Sequence, residues 1–168
     1  MEASSQSGYH RLEIVVTPVK SNQKPIIGWR EWVSLPKLGI PAIKVKIDTG
    51  ARSSALHAFD MEIFRNRGRD MVRFIVHPFQ RNNRNRILAE VELLDHRMVR
   101  SSSGDAKMRP VILTELMLMG QRRSIELTLI DRSTMGFRML LGREAIRGGY
   151  VVDPNRSYLA GKGSQRQR

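Results

Sequence analysis

The chain has 168 residues, 40% hydrophobic and 27% charged, which suits one domain with a real core. It contains no cysteine, so disulfides, zinc ribbons and thiol nucleophiles are excluded. Lys and Arg total 29 against 16 Asp and Glu, and the net charge of +13 favours an anionic partner, either nucleic acid or an acidic polypeptide.

The first 22 residues are polar and Ser-rich at their start, and 161–168 (GKGSQRQR) are polar and basic. Both read as flexible ends around a domain spanning 23–160. The start lacks the basic and then apolar pattern of a signal peptide, and no apolar run is long enough to span a membrane. A cytoplasmic protein without membrane contact is expected.

In chain order, IIGWREWVSL (26–35) is the first strand candidate. IKVKID (43–48) alternates Ile43, Val45 and Ile47 with Lys44 and Lys46. MVRFIVHPF (71–79) follows, and a hairpin between Ile63 and Phe79 is expected to form a mobile flap. Ile87, Ala89, Val91 and Leu93 alternate with polar neighbours, PVILTELMLM (110–119) is strand-like, and Ile125, Leu127 and Leu129 alternate again. Period two is the signature of strands with one buried face. Gly, Pro and Asn clusters break the runs at NRGRD, QRNNRN, SSSGD, MGQ, RGG and DPN. GREAIRGG (142–149) is the best helix candidate, stopped by paired glycines. Many short strands at this spacing predict an all-β fold, closed or sandwich-like, with one short C-terminal helix.

Two stretches carry chemistry. In IDTGARSSAL (47–56) a strand delivers Asp48 into a turn with Thr49, Gly50 and Ala51, where Gly50 is expected to permit a close approach. In FRMLLGREAI (137–146) the apolar pair Leu140 and Leu141 precedes Gly142, which suits a strand passing closely beneath the Asp48 loop. Taken alone, Asp48 reads equally well as a turn cap. Trp29 and Trp32 suit burial in the core or a dimer contact, and the Met-rich LMLMG suits core filling.

Together and in this order, the two stretches resemble the retropepsin-like aspartic proteases. GWREWVSLPKLGIPAIKVKIDTGARSSALHA (28–58) resembles, more narrowly, the bacterial family named for ATP-dependent zinc proteases. That family is associated with an ATP-grasp ligase that adds glutamates to a ribosomal protein. The resemblance implies a retropepsin-like closed barrel, a catalytic Asp48, and loop support from Thr49, Gly50, Ala51, Leu141 and Gly142. Aspartic proteolysis needs two carboxylates sharing one proton and a water. One Asp-Thr-Gly in a chain of this length implies a homodimer with one Asp48 from each copy. An acidic or polyglutamate-tailed protein is the implied substrate, and the glutamate ligase an implied partner.

In viral relatives the residue after Asp-Thr-Gly-Ala is acidic and pairs with a later Arg. Here the position holds Arg52, and the later segment offers Glu144, so an ion pair of opposite polarity is expected. The zinc and ATP of the family name find no support in the residues. There is no His-Glu-x-x-His, and GKGS (161–164) lacks the strand and helix of a phosphate loop. The expected chemistry uses no cofactor. Two other classes stay open: a basic RNA- or ribosome-binding module on an inactive protease fold, and a metal-dependent hydrolase using Asp48 and His57. The arginines of RNRGRDMVR and QRNNRNR serve phosphate binding in the first, and a solvated surface or attraction of polyglutamate otherwise.

Overall fold

The computed structural model describes residues 23–79, 84–100, 104, 106–131 and 136–161. The expected flexible ends, 1–22 and 161–168, apart from Gly161, and most of the expected QRNNRN and SSSGD breaks lie outside the described residues. Among the described residues the strands are β1 (Ile26–Gly28), β2 (Arg30–Leu35), β3 (Ile40–Asp48), β4 (Ser54–His57), β5 (Phe59–Asn66), β6 (Arg69–Val76), β7 (Ile87–Arg100), β8 (Ala106–Leu118), β9 (Gln121–Ile130), β10 (Met139–Gly142) and β11 (Val151–Asp153). The helix is α1 (Arg143–Ile146). The all-β expectation with one short helix holds.

The main sheet runs β2-β3-β10-β4-β9-β8-β7-β6-β5, and a Ser34–Met117 pairing joins β2 back to β8. Six strands therefore form a ring, from which β7, β6 and β5 extend. Alternation explains the strands that line it. Ile43, Val45 and Ile47 of β3 point inward, as do Ile125, Leu127 and Leu129 of β9, each 6% exposed or less. With Leu35, Leu56, Leu116, Met139 and Leu141 they fill one core. Each such side chain contributes about 1.5–3 kcal/mol by leaving water.

The turns are where the sequence breaks predict them. Arg67 and Gly68 (φ 49° and 80°) join β5 to β6, and Met119 and Gly120 (φ 50° and 73°) join β8 to β9. Two successive left-handed residues give the twist a two-residue hairpin requires.

One crossover positions the site. β10 lies between β3 and β4, parallel to the first and antiparallel to the second. Met139 to Gly142 align with Val45 to Asp48, so the register sets Gly142 beside Asp48. The chain thus returns, some 90 residues later, to thread between the two strands that flank the Asp48 loop.

β7 and β8 run further than the alternation predicted. The pattern ends at Leu94, where Leu93 pairs with Ile112 and Asp95 with Val111, leaving Leu94 as an extra residue. Such a bulge bends a hairpin. Beyond it His96 to Arg100 pair with Pro110 to Ala106 as a projecting arm. No helix of the described residues is long and apolar enough to cross a membrane.

Candidate active site

Asp48 closes β3 and is half-buried. Its Oδ1 accepts the backbone N–H of Gly50 at 3.2 Å and of Ala51 at 3.1 Å. A short acidic side chain bonding its own following backbone is an Asx turn, a conformation Asp adopts readily. Oδ2 takes no hydrogen bond from a described residue.

The second stretch grips this loop from behind. Arg143 N–H donates to Ala51 O at 2.8 Å, and Glu144 N–H to Arg52 O at 3.1 Å. Arg143 Nη1 donates to Thr49 O at 3.0 Å. Gly142 N–H donates to the Oγ of buried Ser54 at 3.0 Å. The first N–H groups of a helix lack partners within it, and here the carbonyls of the Asp48 loop supply them. Leu141, fully buried beside Ile47, anchors the strand below.

The two glycines differ. A Cβ at Gly142 would overlap the Ser53 carbonyl and approach Arg52 O to 2.9 Å. At Gly50 a Cβ would meet only Asp48 Oδ1, at an ordinary 3.5 Å. Of the two close approaches expected, the one at Gly142 is present and the one at Gly50 is not, because β10 is the segment wedged beneath a neighbouring backbone.

Arg52 and Glu144 face each other, with Nε 3.6 Å from Oε1. Glu144 is shared, since Arg147 Nη2 lies 3.7 Å from the same oxygen.

His57 lies at the far end of β4 from the loop, 1% exposed. Its Nδ1 is 3.1 Å from Ile130 O, an acceptor only, so Nδ1 carries the proton. Burial pushes its pKa below the ordinary histidine value; the Ile130 carbonyl and Asp131 oppose this, and Arg138 and His77 add to it. Phe59 packs edge-on against the rings of His57 and His77, at 4.1 and 4.9 Å between centroids. Among the described residues no three His, Cys, Asp or Glu side chains gather as metal ligands. The residues do not assemble Asp48 and His57 into one centre, and no step is drawn through a metal.

The β5–β6 hairpin exists, but β5 is the last strand of the sheet order, and neither strand lines the cavity next to the Asp48 loop. That cavity, about 810 Å³, is walled by Arg52–Ser54, by Ser124, Glu126 and Thr128 of β9, by Glu144 and Ala145, and by Arg97–Arg100 of the β7 arm. Sequence periodicity missed this arm because both its faces are exposed, which erases the alternation.

These features, an Asp-Thr-Gly loop clasped by a Leu-Leu-Gly strand threaded beside it, match a known family. The model of the RimB-like family, described as the retropepsin-like aspartic endopeptidase RimB, fits residues 26–163. The chain belongs to the RimB-like family. Its description names an aspartic endopeptidase and mentions neither zinc nor ATP. Among curated relatives, a probable alpha-L-glutamate ligase of Shewanella pealeana is 42% identical over 142 residues, 84% of this chain and 31% of its own length. One of Desulfotalea psychrophila is 45% identical over 131 residues, 78% of this chain and 28% of its own. The chain thus spans about a third of the length of these relatives. A Legionella pneumophila protein of unknown function (DUF785) has a similar solved structure, with a TM-score of 0.68 and 27% identity. The similarity covers 82% of this chain and 99% of that one.

A second carboxylate, Glu31, escaped the sequence reading. It is fully buried, and its oxygens accept Gly28 N–H at 2.6 Å, Leu159 N–H at 3.0 Å and Ala160 N–H at 3.1 Å. It ties the C-terminal segment to the start of β2. In REWVSL it reads as one more polar residue among strand neighbours, and its partners 159 and 160 are too distant in sequence to signal the role.

Proposed function

We propose that the chain is an aspartic peptidase acting as a homodimer, with Asp48 of each copy forming the catalytic pair. The observation that carries this reading is the Asp48 carboxylate, fixed through Oδ1 by two backbone N–H groups while Oδ2 remains available at the loop's open side. Two such carboxylates face to face cannot both be ionised, so they share one proton and titrate as a pair. The ionised member takes a proton from a water held between them, and the water oxygen attacks the scissile carbonyl carbon. The protonated member gives its proton to the carbonyl oxygen. As the tetrahedral intermediate collapses, the amide nitrogen is protonated, the C–N bond breaks, and a carboxylic acid and an amine leave. The clasp from Arg143 and Glu144 holds the loop still, which is the preorganisation such a step needs.

The substrate we infer is a protein carrying added glutamates. Relatives that share this segment are named as alpha-L-glutamate ligases, and a tail of glutamates is a dense anion suited to a chain of charge +13. The enzyme that adds the glutamates is then the natural partner, with addition and removal acting on one tail.

Intact-mass spectrometry of a glutamate-tailed protein, incubated with the native chain and with Asp48→Asn, tests the reading. Stepwise loss of glutamate mass with the native chain, slowed by about 10²–10⁴-fold in the variant, is expected for loss of acid–base catalysis. Equal processing by both would remove Asp48 from the chemistry.

A further inference from the structure

The cavity beside the Asp48 loop has a construction of its own. In a flat sheet Arg97, opposite Arg109, and Glu126, opposite Leu113, would stand about 16 Å apart at the usual strand rise and spacing. Instead Arg97 bonds Glu126 directly through Nη1, and Asp95 through Nε at 2.9 Å. The arm beyond the Leu94 bulge therefore curls over β9, with Arg97 as the post that holds it there.

The charges along this cavity are in unequal states. Arg97 is committed to two carboxylates, which hold its own pKa well above the ordinary arginine value through the bonds to Glu126 and Asp95. Glu126 is occupied by Arg97. Glu144 lies between Arg52 and Arg147, at 3.6 and 3.7 Å, beyond hydrogen-bond range of either. If Arg52 turned away, Arg147 would still neutralise Glu144. Arg100, on the curled arm, makes no ion pair with a described residue. The hydroxyls of Ser53, Ser124 and Thr128 add donors on the same walls.

We propose that this cavity is a subsite for a carboxylate side chain of the substrate, with Arg100 and Arg52 as its ligands and Arg97 as the positioning residue that sets Arg100 above it. The inference rests on the peptidase reading, since it names residues that select an acidic substrate next to Asp48. A guanidinium with no ion-pair partner among the described residues, across a cavity from one loosely held, matches a carboxylate, which accepts from two forks at once. The cavity begins at Arg52, the residue after Ala51, and Asp48 itself does not line it, so a side chain held there belongs to a residue some positions away from the scissile bond.

The test uses a fluorescein-labelled hexaglutamate peptide, with Asp48→Asn as the binding form and the native chain for hydrolysis. In the binding form, adding Arg100→Gln or Arg52→Gln should each weaken affinity about tenfold, the effect of losing one charge-assisted hydrogen bond. Arg97→Gln should weaken it too, and Arg97→Lys should restore part of the loss. Arg67→Gln, at the remote β5–β6 turn, should change nothing. In the native chain Arg100→Gln should raise KM at unchanged kcat. Equal weakening by Arg67→Gln would reduce the effect to general charge and overturn the subsite. Hydrolysis with unchanged KM in both the Arg100 and Arg52 variants would overturn it while leaving the peptidase reading intact. Arg100-dependent binding with no hydrolysis by the native chain would do the reverse.

Discussion

Asp48 and Glu31 are both carboxylates at strand positions, both bonded by backbone N–H groups, and they serve opposite ends. Glu31 is sealed from water and engages both oxygens with three donors, one from nearby Gly28 and two from the distant C-terminal segment. Asp48 engages one oxygen with two donors from its own turn and stays half-exposed. A fully buried carboxylate with both oxygens bonded to backbone is held as structure and is closed to a reacting molecule. A carboxylate fixed by one oxygen is oriented without being consumed. The difference fits Glu31 as a brace and Asp48 as the reactive group we propose.

The largest effect that could break this contrast is on stability. Glu31→Ala leaves three N–H groups without their acceptor, two of them holding the C-terminal segment. It should cost about 3 kcal/mol or more in chemical denaturation, about 10 °C in Tm for a domain of this size. Asp48→Ala, whose two donors lie where water can reach them, should cost under about 1 kcal/mol. Comparable losses in the two variants would erase the distinction. Next in size, Gly142→Ala forces a methyl into the Ser53 carbonyl and should destabilise by about 1–3 kcal/mol, whereas Gly50→Ala, with ordinary contacts only, should cost less by thermal melts.

How much of this was legible beforehand follows from the range of the interactions. The ring strands could be read because burying one face imposes period two on Ile43, Val45 and Ile47 and on Ile125, Leu127 and Leu129. The Asp48 loop and the Leu141–Gly142 strand were legible as a pair of stretches, and the close passage read at Gly142 is present, while the one also read at Gly50 is not. A turn glycine announces itself locally, while a wedged strand glycine depends on a backbone 90 residues away. The curled arm was hidden for a related reason. Its residues His96 to Arg100 have no buried face, and the Arg97–Glu126 contact joins strands that are not neighbours in the sheet. Glu31 was invisible because all it does is long-range, apart from its bond to Gly28.

A third titratable group sharpens the comparison through pH. His57 is held neutral by burial, so its folded pKa lies below the unfolded value of 6.5. Between those values the unfolded chain binds more protons, so this contribution to stability is fully present above 6.5 and is lost as pH falls through the folded pKa. Thermal melts from pH 8 downward should show Tm falling once pH drops below about 6.5, and His57→Leu should flatten that slope in the native chain. An unchanged slope would assign it to other groups. The smallest expected effect is at Arg52 and Glu144, exposed and 3.6 Å apart. A double-mutant cycle should give a coupling under about 0.5 kcal/mol, which fits a contact that can yield Arg52 to a substrate.

Mixing the native chain with Asp48→Asn tests the central claim most directly, because the catalytic pair is proposed to need a carboxylate from each of two copies. If one Asn disables a pair, activity against a glutamate-tailed protein at fixed total protein should follow the square of the native fraction, about a quarter at an equal mixture of freely exchanging copies. A linear fall, to about half, would mean that each copy works with its own Asp48 alone and would contradict the account.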